Sequence, residues 1–138
     1  MQTAFVPDAE NLAKLKQLLK DIHVGNDALQ KKVTKELGVI SDHKDFPLYC
    51  CAILKSNEDL TLRYTAGICL KSVLGRSQPW TASESERNTY IEDCLYACFE
   101  DASDLIRKAA KLSIVTIVNR NGIVNSSRSL AFLVKCIK

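Results

Sequence analysis

One pattern occurs twice in this chain and restricts its fold more than any other feature. Residues 62–74 read Leu62-Arg63-x-x-Ala66-x-x-x-Leu70-x-x-x-Leu74, and the same template returns 44 residues on as Ile106-Arg107-x-x-Ala110-x-x-x-Ile114-x-x-x-Val118. A weaker copy, Leu29-Gln30-x-x-Val33-x-x-x-Leu37, stands 33 residues before the first. Spacings of four put these apolar side chains on one face of a helix. Helical hairpins recurring at about 40 to 47 residues are the units of HEAT-type arrays, in which each hairpin buries only part of its surface and needs neighbours. The expected fold class is therefore all-α: a HEAT-repeat superhelix, or solenoid, of about three and a half hairpins forming a single domain over 1–138. The repeats fall at 8–38, 45–75 and 83–121, with a partial fourth over 126–138.

Local signals divide these repeats into helices. A first helix runs from about Asp8 to Ile22, with Leu12, Leu15, Leu18, Leu19 and Ile22 on one stripe, and Gly25 breaks the chain. Asn26 caps a second helix with Ala28, Leu29, Val33 and Leu37 inward, closed by Gly38. Asp45-Phe46-Pro47 opens a third, carrying Tyr49, Cys50, Ile53 and Leu54, and a fourth spans Leu60 to Leu74 with Gly75 as its stop. After a loop through Pro79 and Trp80, Ser83 and Glu86 form a capping box for a fifth helix, whose apolar face holds Tyr90, Ile91, Cys94, Leu95, Cys98 and Phe99. Ser103 caps a sixth that stops near Gly122, and a seventh runs from Ser126 to Lys138. The stretch Leu112 to Val118 is β-branched enough for a strand by local propensity. It is read as helix because Leu105, Ile106, Ala109, Ala110 and Ile114 continue upstream at helical spacing.

Charge and cysteine content narrow the function classes. Nineteen Lys and Arg against sixteen Asp and Glu leave a formal +3, spread along the chain. Nucleic-acid binding is not expected: Lys14, Lys16, Lys20, Lys31, Lys32 and Lys35 cluster early, but Asp8, Glu10, Asp21, Asp27 and Glu36 interrupt any phosphate track. The start of the chain lacks a signal-peptide pattern, and no apolar run reaches the ~18 residues of a membrane helix. The six cysteines, Cys50, Cys51, Cys69, Cys94, Cys98 and Cys136, sit among apolar residues without CxxC spacing. They are expected as reduced core thiols, hence in cytoplasm or nucleus.

No catalytic constellation is present, so an enzyme is not expected and neither is a cofactor. His23 and His43 have no Cys or carboxylate partner at a spacing that forces proximity. Cys94 and Cys98 lie one helical turn apart and could give two zinc thiolates, but nothing nearby completes four ligands. Each template arginine, Arg63 or Arg107, follows a turn residue, Asn57 or Asp101, by six positions. Such pairs suit a structural ladder between stacked repeats.

Read together, Phe5-Val6-Pro7-Asp8 with Leu12, Asp45-Phe46 with Tyr49, Arg63-x-x-Ala66-Gly67-x-x-Leu70-Lys71, and Ile106-Arg107 with Ile114, Thr116 and Ile117 resemble the N-terminal HEAT repeats of the importin-beta, or karyopherin-beta, nuclear transport receptors, in particular its transportin-like members. The family usually has Trp at Phe5, Asn at Ser72 and Gly at Lys111. The resemblance implies that the second helix of each repeat lines a concave face that grips the small GTPase Ran in its GTP state, controlling nuclear import. Position by position it assigns that contact to Lys71, Ser72, Lys111, Thr116 and Asn119. It places cargo proteins and nucleoporins on later repeats, and the protein in cytoplasm and nucleus. A last helix still apolar at its end invites self-association. The same helical pattern also suits a HEAT adaptor of another pathway, such as a vesicle coat or a kinase-regulatory subunit.

Overall fold

The computed structural model describes residues 6–76, 85–122 and 126–136, and every regular element among them is a helix. In order these are α1 (Ala9–Asp21), α2 (Asp27–Ile40), α3 (Phe46–Leu54), α4 (Leu60–Arg76), α5 (Ser85–Cys98), α6 (Asp104–Asn121) and α7 (Ser127–Cys136). Leu112 to Val118 is helical, as the upstream periodicity requires. The Pro79–Trp80 loop, Ser83 of the capping box, Phe5 and Asn125 lie outside the described residues.

Caps and stops show where local chemistry decides and where packing overrides it. Asp8 and Asn26 accept the N–H groups of Asn11 (2.9 Å) and Leu29 (3.0 Å), ending the first turns of α1 and α2. Ser103 occupies the cap position of α6 without a side-chain cap bond; its own N–H instead donates to Asp101 Oδ1 at 2.9 Å. The expected stops at Gly38 and Gly75 are overrun, by α2 to Ile40 and by α4 to Arg76. A glycine ends a helix where the chain must turn left-handed, and among the described residues only Gly122, at φ +80°, does so. Contacts carry the other two helices onward: Ile40 packs on the core, and a Cβ at Gly75 would stand 3.6 Å from the Thr116 methyl.

From α3 onward, corresponding helices of successive hairpins run side by side in the same direction, whereas α1 packs against α4. Arg87 donates to the Lys44 carbonyl (3.1 Å) and the Cys94 thiol to that of Cys51 (3.5 Å), so α3 and α5 hold one register, 43 residues apart. Gly67 faces Ala109 and Gly75 faces Thr116, which aligns α4 with α6. Glu92 bonds Ser129 while Tyr96 stacks on Phe132, aligning α5 with α7. The closest helix approach uses Gly67, whose added Cβ would stand 3.1 Å from that of Ala109, one residue along from the fully buried Ala66 and Ala110 on which the template centres.

The second template position has one job in all three hairpins. Gln30 donates to the carbonyl of Val24 (2.9 Å), Arg63 to that of Leu54 (2.9 Å) and Arg107 to that of Asp101 (2.6 Å), each bracing the turn before its own helix. Arg63 also reaches the Asp101 carboxylate of the next turn, so the ladder runs Arg63–Asp101–Arg107 and bypasses Asn57. Both ends of the ion pair are mostly buried.

The core unites Leu15, Leu19, Val33, Ile53, Leu54, Leu70, Ile91, Leu95, Ile106 and Ile114, with α3 buried over nearly its whole circumference. Cys50, Cys51, Cys94 and Cys98 are buried free thiols and Cys69 is half-buried, but Cys136 is exposed on α7 and takes no part in the core. Ala28, expected inward, is also exposed, because the apolar arc of α2 narrows to Val33 and Leu37 with Leu29 beside them. Ser113 is fully buried in α6 and its hydroxyl has no hydrogen-bond partner. Replacing it with alanine removes an unsatisfied group, and chemical denaturation should show Ser113→Ala more stable by about 1 kcal/mol.

Candidate functional site

The outward arc of α4 and α6 mixes lysine with exposed aliphatic residues. On α4 that arc carries Ile68, Lys71 and Ser72; on α6 it carries Leu105, Lys108, Lys111, Leu112, Val115 and Asn119. The repeat makes the two arcs equivalent. Ile68 and Leu112 both stand six residues after the first template position, so with α4 and α6 parallel they point the same way.

Four of the five residues assigned from the resemblance are exposed on this arc: Lys71, Ser72, Lys111 and Asn119. Thr116 differs. It is half-buried, its hydroxyl donates to the Leu112 carbonyl of its own helix at 2.8 Å, and its methyl lies against Gly75 in the seam between α4 and α6. Any contact Thr116 makes to a partner is at the edge of the face.

Sequence reading missed the aliphatic part. Leu105, Leu112 and Val115 are each between two-fifths and one-half exposed, as is Ile68. Their signal is present in the sequence: residues 105, 108, 112, 115 and 119 are spaced three and four apart, a second helical stripe on the side of α6 away from the buried one of Ile106, Ala110, Ile114 and Ile117.

The rest of the molecule holds its chemistry in structural roles. Glu92, buried between α5 and α7, accepts from the hydroxyls of Tyr96 (2.9 Å) and Ser129 (2.6 Å) and from Arg128 (3.2 Å), which also pairs with Asp93. Burial, with the Glu92 carboxylate beside it, pushes the Tyr96 phenol up to about 12. Hydrogen bonding to Cys94 and burial push the Cys98 thiol up, and burial does the same to Cys50. These thiols stay protonated, the opposite of what a nucleophile or zinc ligand needs. Among the described residues no three His, Cys, Asp or Glu side chains are grouped to hold a metal ion, and no helix is long and apolar enough to cross a membrane.

Both histidines are spent locally. His23 Nε2 lies 2.8 Å from the Thr65 hydroxyl, which itself donates to Thr61, so the imidazole is the donor. His43 Nδ1 accepts the Asp45 N–H at 3.1 Å. A hollow of about 340 Å³ beside His43, floored by Leu15, Ile40, Phe46 and Tyr49, is lined by no carboxylate or thiol. A scan of the chain against protein-family models finds no match, and a search of curated proteins finds none either.

Proposed function

We propose that the chain is an array of HEAT hairpins of the importin-beta type whose α4/α6 face binds the small GTPase Ran in its GTP state, as part of nuclear transport control. What supports this reading is the exposure of Lys71, Ser72, Lys111 and Asn119 on one side of two parallel helices that repeat the same template. The parallel registers of α3 with α5 and of α4 with α6 support the solenoid reading in the same way. The function is recognition without covalent chemistry. GTP orders the switch segments of such a GTPase, and a rigid face complementary to the ordered shape reads nucleotide state without touching nucleotide. Cargo held elsewhere on the same solenoid is then coupled to that event by linkage. Exposed ion pairs are each worth only about 0.2 to 1 kcal/mol. Affinity therefore comes from shape and area, about 1,600 Å² in a typical specific interface.

Pull-down with Ran loaded with GTP or GDP tests the reading. Retention should favour the GTP form by about tenfold or more, and Lys71→Glu with Lys111→Glu should abolish that preference. Equal retention of both forms, or none, removes the transport assignment.

A further inference from the structure

The charges of this chain are unevenly divided among its helices. Helices α2, α4 and α6 contain ten Lys and Arg but three Asp and Glu, leaving nine against thirteen in the rest of the sequence. Helix α4 has no acidic residue at all. Part of this excess is consumed internally: Arg63 and Arg107 brace turns, Lys108 pairs with Asp104 at 3.1 Å, and Arg76 bonds Ser41. Lys71 and Lys111 are exposed and form no salt bridge among the described residues, and neither do Lys31, Lys32 and Lys35 on α2. Helices α4 and α6 also present Ile68, Leu112 and Val115, each at least 41% exposed.

A purely solvated face has no use for that aliphatic ridge, and neither has a phosphate backbone, which is met by cations and hydrogen-bond donors. An acidic partner with apolar side chains of its own satisfies both halves of the pattern. We propose that the outward arc of α4 and α6 docks an acidic amphipathic protein segment, its aliphatic side chains laid along Ile68, Leu112 and Val115 and its carboxylates over Lys71 and Lys111. The inference deepens the reading above by naming the chemistry of the partner surface, and it rests on the same face without requiring the partner to be the GTPase.

The test is fluorescence anisotropy on the full chain with a labelled helical peptide carrying Leu at alternating third and fourth positions and Glu elsewhere. The parallel probes are the same peptide with every Glu replaced by Gln, and a single-stranded oligothymidylate. The Glu peptide should bind, weakening by about tenfold as salt rises from low to physiological strength. Lys71→Glu with Lys111→Glu, and separately Leu112→Ser, should each weaken it by about tenfold, with circular dichroism unchanged because all three positions are exposed. Lys20→Glu with Lys135→Glu makes the same change of charge off the face and should leave binding as it was. Absence of peptide binding, equal binding of the Gln peptide, or equal loss in the Lys20/Lys135 variant overturns the proposal. So does tighter binding of the oligonucleotide that ignores Leu112→Ser, which would make the face a nucleic-acid surface. Peptide binding without preference for GTP-loaded Ran keeps this inference and discards the transport reading, and the converse result does the reverse.

Discussion

Replacing Arg63 with methionine should lower stability at neutral pH by about 2 to 3 kcal/mol, as large an effect as any expected of a single polar side chain here. The methionine keeps the apolar length of the side chain, but it strands the Leu54 carbonyl and leaves the mostly buried Asp101 carboxylate without its guanidinium. The pH dependence separates this mechanism from mere loss of packing. The Arg63 guanidinium, and after it the Ser103 N–H, hold the Asp101 carboxyl below its ordinary value. A carboxyl lowered in the folded state contributes stability in full above its unfolded pKa of about 3.9, and that contribution is lost as pH falls through the folded value. Urea titrations at pH 7 and pH 3 should therefore show a smaller acid-induced loss in Arg63→Met than in the parent. An equal acid loss in both would mean that the ladder does not carry the coupling. Asp101→Asn, which can still accept from Arg63 and Ser103, should cost less than Arg63→Met at pH 7.

Glu92→Leu should release α7. The substitution leaves the hydroxyls of Tyr96 and Ser129 and one arm of Arg128 without their common acceptor in a buried seam, at about 2 to 3 kcal/mol. What remains for α7 includes the stack of Phe132 on Tyr96 at 4.1 Å and its edge contact with Phe99 at 4.8 Å, worth about 0.5 to 1.5 kcal/mol each, with the Arg128–Asp93 pair and the packing of Leu133 on the core. Helix α7 packs on the body less extensively than α4 does on α6. The expected result is local: hydrogen exchange should accelerate across 127–136 while the amides of α4 and α6 keep their protection. Uniform acceleration over all helices would show that α7 is part of the cooperative core instead of an element latched to it. Glu92→Gln retains one carbonyl acceptor and should fall between parent and Leu.

The helices, their order and their pairing into hairpins were legible because each rests on a local signal, a period near 3.6 or a capping residue. Leu15, Leu19, Val33 and Ile114 are buried as that period requires. Errors arose where two local rules met a tertiary contact. Gly38 and Gly75 resemble stops, yet neither turns left-handed, and α2 and α4 run past them. The half-exposed Leu105, Leu112 and Val115 were not separable from core residues, because a helix with aliphatic residues on both sides gives each side the same three-and-four spacing. Nor could six-residue spacing tell Asn57 from Asp101: only the arrangement of successive turns decides that Arg63 reaches forward to Asp101. Of the residues assigned to the candidate face, Ser72 and Thr116 hold one template position, ten residues after Leu62 and Ile106, and Ser72 takes the exposed place expected of it. Thr116 does not, because the place of its methyl depends on a glycine 41 residues away.

The clasps made by Gln30, Arg63 and Arg107 end on main-chain oxygens. Such an oxygen exists whichever amino acid bears it, so the bends can drift in spelling without loosening. The segments around Val24, Leu54 and Asp101 already share no common wording. They absorb changes of length as well: the clasped oxygen stands six residues before Gln30 and Arg107 but nine before Arg63.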